Sequence, residues 1–534
     1  MTETIVLGLD GATWDILKPL IQEGALPNIE RLRSDGHSGT LESTFPPITA
    51  PAWLSMATGQ NPGKTGVFYF LNREDSESFD FETLGSDKFH GQSFWDVFSA
   101  HEQSVGIFNY PMLYPPYEIN GFMVSGLGSE ADDTITYPRS LGAELDEVTS
   151  GYQVKVPYAD PKYQDRPEKL ETDLLNIVEK RETAIEYLLT EKDPDHFFGI
   201  ISATDWAQHY FWRYTDEEHA LYDPAAGHEN ALKRIWMRVD EAVGTVAELS
   251  NEDDATLLLV SDHGFGPVNR TFHSNEWLER QGHLHYNEQS LTDQLRTKYF
   301  PYLRRMGESV VSVVPQLNDF AKSIGKSIRK TPGDGIDFER STAFAPRQNL
   351  TSGMIYVLSD DESEKNKIRD ELESLTELPD GPDTVDVYEP GEVYTGKNTE
   401  LAPELMIVVD GFECAVDPRA STDSQIFTAG PPSEARSGGH NQDGIVIAAG
   451  PAIEPGSNVD AKIYDIAPTL LSLHDMPIPE EMDGRVRTSF LAEVTDDEGL
   501  PPTAPIDTLV NSGEQTQRED DDEVQQRLED LGYI

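Results

Sequence analysis

Three aspartates stand just past short aliphatic runs: Asp10 in GLDGATW, Asp205 in SATDWAQHYFW, and Asp262, joined by His263, in LLLVSDHGFGP. Beyond the carboxyl ends of strands is where a parallel sheet gathers its ligands. In Asp205-Trp-Ala-Gln-His209 a carboxylate and an imidazole are four residues apart, so one helical turn faces both the same way. His440, in SGGHNQDG, adds an imidazole from a glycine-rich loop just before the strand-like GIVIAAG. Three carboxylates and three imidazoles suit zinc or manganese and argue against calcium, which prefers all-oxygen shells. Singly, each has a plainer role: an Asp after a strand caps helices or forms turns, and His209 beside Tyr210, Phe211 and Trp212 suits a hydrogen-bonded core position. Recurrence at one topological position is what points to a metal centre.

A nucleophile candidate lies in STFPPITAPAWLSMATGQNPGKTGVF. Pro51 suits the first turn of a short helix over Ala52 to Ala57, which places the Thr49 hydroxyl at a helix N-terminus, a position that favours phosphate. Plain N-capping is the alternative role. A free threonine hydroxyl is a poor nucleophile at neutral pH, but a divalent cation bound to it can stabilise the alkoxide.

The elements that must position these groups read as βα units around a buried, mostly parallel sheet. Strand-like runs are Thr4 to Leu9, Val105 to Phe108, Phe197 to Ile201, Thr256 to Val260, Leu405 to Val409 and Ile445 to Ala449. Apolar residues return at helical spacing over Trp14 to Glu23, Lys169 to Thr190 and Asn230 to Leu249. The expected architecture is a three-layer α/β/α sandwich with its core in residues 1–282 and 400–490. An inserted cap occupies 283–399, and 491–534 form an acidic linker and tail whose Val524, Leu528 and Leu531 could lay a terminal helix on the body.

Charge sets further bounds. The 534 residues carry 41 Lys+Arg against 96 Asp+Glu, a net −55 that excludes a nucleic-acid clamp built on overall charge. With 37% hydrophobic residues the chain can still bury a core, so it is not simply a disordered acid. The acids are spread along the whole chain, and the surface resembles that of a salt-adapted haloarchaeal protein; an acidic docking face for a basic partner is the other reading. Arg296 to Lys330 runs against the trend, with eight basic residues to two acids. It reads as a helical insertion with a solvated basic face, or as a cap over an anionic substrate or a weak membrane-surface contact. The single cysteine, Cys414, allows no internal disulfide and no cysteine zinc cluster. No export signal or run of 18 apolar residues is visible, so the expected compartment is the cytoplasm.

The set GLDGAT, TAPAW followed by ATG-x-NPGKTG, SATD-x-x-x-H, SDHGFGP and GGHNQDG resembles the alkaline phosphatase superfamily, in particular its type I phosphodiesterase/nucleotide pyrophosphatase branch and the related predicted phosphohydrolase/phosphomutase proteins. DIAPTLL from Asp465 and MDGR from Met482 resemble that branch too, and motif order is kept from about residue 4 to 490. The resemblance implies two divalent ions, zinc in the first instance and manganese as the alternative. One would be held by Asp10, Thr49, Asp262 and His263, the other by Asp205, His209 and His440. It also implies that Thr49 attacks phosphorus to form a phosphothreonine, which water then hydrolyses. Two divalent cations would offset three carboxylates and a Thr49 alkoxide, leaving a neutral site that an anionic ester can approach.

The implied activity is hydrolysis of a small phosphoric ester, of the phosphodiesterase or pyrophosphatase type. A phosphomutase using the same site is the alternative enzyme, and a non-catalytic acidic scaffold is the alternative of another class. Departures narrow the match. Where nucleotide pyrophosphatases carry His before the Gly of the TG-x-x-P-x-x-HG stretch this chain has Thr65, and where they place a substrate-binding Asn it has Phe70, with Asn72 two residues on. That weighs against nucleotide diesters. Lys64 and Asn109 are further candidate phosphate contacts, with a surface lysine and a turn asparagine as the plain alternatives. Thr49-Ala-Pro51-Ala-Trp53 lacks the Cys or Ser and the Arg that a sulfatase needs.

Self-repulsion at −55 is relieved in molar salt, where the Debye length shrinks to about 3 Å. Thermal unfolding in dilute buffer and in molar KCl checks this: the midpoint should rise markedly with salt, and an unchanged midpoint would contradict the reading.

Overall fold

The computed structural model describes residues 1–75, 81–129, 134–287, 335–346, 351–359, 361–419, 421, 425–453, 455–456, 460–491, 500–510, 524–525 and 527–528. In chain order, the strands that build and flank the central sheet are β1 (Thr4–Leu9), β2 (His37–Glu42), β3 (Val105–Tyr110), β4 (Gly121–Ser125), β5 (Thr136–Tyr137), β6 (His196–Ile201), β7 (Thr256–Val260), β8 (Gly264–Pro267), β9 (Gly438–Asn441), β10 (Asp443–Ala449) and β11 (Ala461–Lys462). Nine of them form one sheet in the order β11-β2-β10-β7-β1-β6-β3-β4-β5. Only β10 and β5 run against the rest.

The helices that matter for the site are α1 (Trp14–Gln22), α2 (Thr49–Thr58), α3 (Pro167–Tyr187), α4 (Ala203–Thr215), α5 (Ala231–Asp253) and α6 (Ile466–Leu473). Strand residues alternate between two cores, as the two-residue strand period requires. Ile5, Leu7, Leu9, Leu257, Leu259, Phe197 and Ile201 face α1, α3, α4 and α5. Val6, Leu258, Val260, Phe198 and Ile200 face α2 and α6. Both sheet faces are thus covered by helices, which is the three-layer α/β sandwich expected from the sequence and explains why these strands are apolar at every position.

Several expectations need correction. Leu405–Val409 is a strand, but it belongs to a separate four-stranded antiparallel sheet with Ala343–Phe344, Ser352–Val357 and Val385–Tyr388. Ile445 to Ala449 does lie in the central sheet, as β10, but antiparallel to both neighbours. An apolar run encodes burial and not the sheet or direction a strand joins. The basic stretch 296–330 lies outside the described residues. At the tail, Val524 and Leu528 are buried in the same core as α6, while Leu531 lies outside the described residues. No helix among the described residues is long and apolar enough to cross a membrane.

Helix α2 lies close on β1. A Cβ on Gly8 would meet Cη2 of Trp53 at 2.6 Å, so only glycine lets the helix carrying Thr49 approach this strand. The Tyr110 hydroxyl donates to the Trp53 carbonyl at 2.7 Å and ties α2 to β3 of the same sheet. Gly8→Ala should therefore overpack the contact and cost about 1–3 kcal/mol. Denaturant unfolding of the variant checks this, and a neutral result would mean α2 yields without loss.

Candidate active site

Strand register assembles the site. Leu9 pairs with Ile201 and Gly8 with Val260, so the carboxyl ends of β1, β6 and β7 finish side by side. The next residues of each strand bring Asp10, Asp205 and the pair Asp262-His263 to one place. Gly11, at φ +66°, turns the chain sharply enough for its N–H to donate to Asp262 Oδ1 at 3.2 Å. Thr204 donates to the Asp10 carbonyl at 2.6 Å and Gln208 to the Gly11 carbonyl at 2.7 Å, fastening the first turn of α4 to the end of β1. Ser261 accepts from the Ile445 N–H at 2.9 Å and lies 3.0 Å from the carbonyls of Ala12 and His263, a knot of three segments beneath the site.

His440 sits on β9 rather than in a loop. This strand pairs with β8, setting His440 opposite Phe265 two residues after His263. The glycines before it permit close approach: a Cβ on Gly438 would meet the Gln208 carbonyl at 2.6 Å. The His440 and His263 rings stack at 3.6 Å. Thr49 also differs from its expected place. α2 begins at Thr49 with Ile48 as its cap, so the hydroxyl does not cap the helix; it lies 3.3 Å from His263 Nε2.

All seven candidate side chains meet in one buried cluster. Asp10, Thr49, Asp205, His209, Asp262, His263 and His440 are each at most 4% exposed. His440 Nε2 is 3.1 Å from His209 Nε2 and 3.2 Å from Asp205 Oδ1, and His209 Nε2 is 3.4 Å from the same oxygen. His263 Nε2 is 3.3 Å from Asp262 Oδ2 and 3.7 Å from Asp10 Oδ1. A zinc tetrahedron with arms of about 2.0–2.1 Å has edges of about 3.3 Å, so these separations fit donors around a cation.

Tautomers strengthen the fit. The Nδ1 atoms of His209, His263 and His440 face the carbonyls of Gly438 at 2.8 Å, Gly264 at 3.1 Å and Pro47 at 3.1 Å. A carbonyl only accepts, so each Nδ1 carries the proton and each Nε2 offers a lone pair. His209 and His440 then point lone pairs at each other across 3.1 Å, an arrangement that a cation between them relieves. Asp10 Oδ1 and Asp262 Oδ2 are buried without a hydrogen-bond partner, as donors reserved for a metal would be. The donors gather as Asp10, Asp262 and His263, and as Asp205, His263 and His440, with His209 beside the second group.

Burial dominates the electrostatics. It pushes Asp10 well above the usual carboxylate range, with the charges of Asp262 and Asp205 adding to the shift. It lifts Asp262 as well, against the opposing hydrogen bond from Gly11. The His209 imidazole is driven down to about 3 and His263 well below its ordinary value, again chiefly by burial, so these rings are neutral, the ligand form.

The other three candidates are engaged elsewhere. Lys64 pairs with Asp483 at 2.7 Å and donates to the Glu481 carbonyl at 2.7 Å, so its charge serves that loop. Asn72 closes its own turn, accepting from Phe68 and Tyr69 N–H at 2.7 and 3.0 Å and donating to the Tyr69 carbonyl at 2.6 Å. Asn109, buried and at φ +58°, donates to the Ile200 carbonyl at 2.9 Å, near the end of β6.

Two residues were missed by the sequence reading. Arg436, only 8% exposed, lines a small cleft with His209 and His440 and places a buried positive charge beside the candidate cluster. Tyr158 stacks on the His209 ring at 5.3 Å and 6°. The available signal was a lone arginine four residues before His440 in an acidic chain; Tyr158 lies in a stretch without periodicity and offered none.

In comparison with known proteins, a family model described as type I phosphodiesterase/nucleotide pyrophosphatase matches residues 4–415. No curated protein matches the chain. A crystal structure of phosphonoacetate hydrolase from Sinorhizobium meliloti 1021 in complex with phosphonoacetate is similar at TM-score 0.52 and 13% identity, over 87% of this chain and 94% of that one. A second structure of that enzyme, with phosphonoformate, gives TM-score 0.49 at 13% identity over the same shares.

Because Asp10 and Asp262 hold protons more tightly than usual in the metal-free protein, and ligation needs them ionised, metal binding should release protons and weaken as pH falls. Calorimetric titration with zinc in two buffers of different ionisation enthalpy checks this. Binding without proton release, and equally tight at mildly acidic and neutral pH, would contradict it.

Proposed function

The chain belongs to the type I phosphodiesterase/nucleotide pyrophosphatase family and is a hydrolase of phosphoric ester or related bonds; from that premise we propose that it cleaves a small phosphodiester or pyrophosphate with Thr49 as nucleophile. Its fold is alkaline-phosphatase-like. The observation that carries the proposal is the place of the Thr49 hydroxyl, fully buried and 3.3 Å from His263 Nε2 at the first turn of a ten-residue helix.

Two divalent cations, zinc in the first instance, would be held by Asp10, Asp262, His263 and Thr49 and by Asp205, His209 and His440, and would supply Lewis acidity and charge neutralisation there. Pro51 carries no N–H and the Ala52 N–H donates to the Ile48 carbonyl at 2.9 Å, which leaves the N–H groups of Thr49 and Ala50 in the first turn of α2 to orient the phosphoryl oxygens. Thr49 Oγ1 gives up its proton to solvent and attacks phosphorus in line with the leaving group; the P–O bond to Thr49 forms as the ester P–O bond breaks, and the departing alkoxide takes a proton from solvent in turn. A water molecule then adds to the phosphothreonine, the bond to Thr49 breaks, and the hydroxyl is restored. The near-complete burial of the cluster limits bulk water around the reacting atoms. The acidic surface supports operation in a salt-rich compartment, where that surface is screened.

Hydrolysis of a nitrophenyl phosphodiester and monoester in molar salt tests the reading. Wild type should cleave the diester in preference, and Thr49→Ala should lower kcat by roughly three orders of magnitude while keeping its metal content. Full activity in Thr49→Ala, or no turnover of either ester by metal-loaded wild type, would sink it.

A further inference from the structure

We propose that Glu3, His196 and His474 form a further divalent-cation site of zinc type, separate from the catalytic centre and at the opposite end of β1. Glu3 precedes β1, His196 opens β6, and His474 caps the carboxyl end of α6. The length of β1 puts this place about 20 Å from Asp10 by strand rise.

The three donors lie within 4.8 Å of one another. His196 is the observation that demands a ligand. Its side chain is only 4% exposed, and neither ring nitrogen has a hydrogen-bond partner. A neutral imidazole carries one N–H and one lone pair, and buried polar atoms of this kind are rarely left unmatched. Its ring meets that of His474 edge-on at 4.3 Å, and the two line a small cleft with Thr4 and the apolar side chains of Phe94, Phe98 and Leu470, which offer the imidazole no polar partner.

His474 is already oriented for the task. Its Nε2 lies 2.6 Å from Thr4 Oγ1 and its Nδ1 lies 3.2 Å from Glu3 Oε2. In the absence of a cation Nδ1–H donates to Glu3 Oε2 and Nε2 accepts from the Thr4 hydroxyl; with a cation bound the tautomer reverses, Nε2–H donates to Thr4 Oγ1 and Nδ1 offers its lone pair beside Glu3, the supporting hydrogen bond usual for a ligating histidine. Burial keeps both rings neutral, and the nearby Asp195 and Asp475 add negative field. Glu3 is 57% exposed, which leaves a fourth coordination position open to water. Such a site joins the start of β1, the start of β6 and the end of α6, segments far apart in the chain, and would bind only the folded form.

The test is zinc content per chain, measured by mass spectrometry after zinc saturation and desalting, for wild type, His196→Phe and Glu3→Gln. Each variant should hold one zinc fewer than wild type and melt several degrees lower in zinc, with the melting difference shrinking in chelator and ester hydrolysis unchanged. Equal zinc contents in wild type and Glu3→Gln would overturn the proposal; because that substitution alters an exposed side chain, it decides the matter even where His196→Phe fails to fold. The readout is a difference between variants, so failure of the Thr49 mechanism would change absolute contents or activity and leave this result standing.

Discussion

Asp10, Asp205 and Asp262 are brought together out of contact with water, each at most 1% exposed. Carboxylates so placed repel one another and resist ionisation, which is why Asp10 and Asp262 cling to their protons. Three imidazoles close the cluster: Asp205, beside His209 and His440, is drawn below the usual carboxylate range, while burial keeps His209 and His263 neutral and backbone partners turn the imidazole lone pairs inward. A site of this composition is balanced when cations occupy it. The rest of the molecule is arranged to hold that demand in place. Adjacent parallel strands end level, Gly11 turns back to donate to Asp262, and Ser261 and Thr204 tie the strand ends to their neighbours.

The same logic places Thr49. A helix buried over its whole length, seated on Gly8 and held by Tyr110, is a rigid platform. Its first residue is carried to the ligand cluster with little freedom to move away. In the proposed mechanism, rigid positioning of the Thr49 hydroxyl beside preorganised charge would supply rate without requiring motion at the moment of reaction. Set against a surface at −55, cations in this cluster would let an anionic ester approach, and Arg436, which lines the same cleft as His209 and His440, adds to that local balance.

The four-stranded antiparallel sheet has its own core, packed around Ile355, Ile407, Leu405 and Val409, with Phe272 and Trp277 in the same cluster. The polypeptide therefore leaves the central sheet, builds a second layer of order, and returns through β9 to deliver His440. This return makes the site a product of two distant stretches of chain, and explains why Thr351 can donate to the His440 carbonyl from the edge of the four-stranded sheet.

Much of this was legible in the residues alone. Aliphatic runs mark burial on both faces, so β1, β6 and β7 could be read within a residue or so, and the position of Asp10, Asp205, Asp262 and His263 directly after them follows from chain order. The four-residue spacing of Asp205 and His209 settles their common face, because a helix has a fixed period. What those local patterns do not carry is pairing. That Leu405–Val409 joins another sheet, that β10 runs backwards, that His440 lies on a strand opposite Phe265, and that Lys64 spends its charge on the Asp483 loop depend on contacts between residues far apart in sequence. The nature of each donor is written in its side chain; which donors share one small volume is decided only when strand register and helix packing bring them within bonding distance.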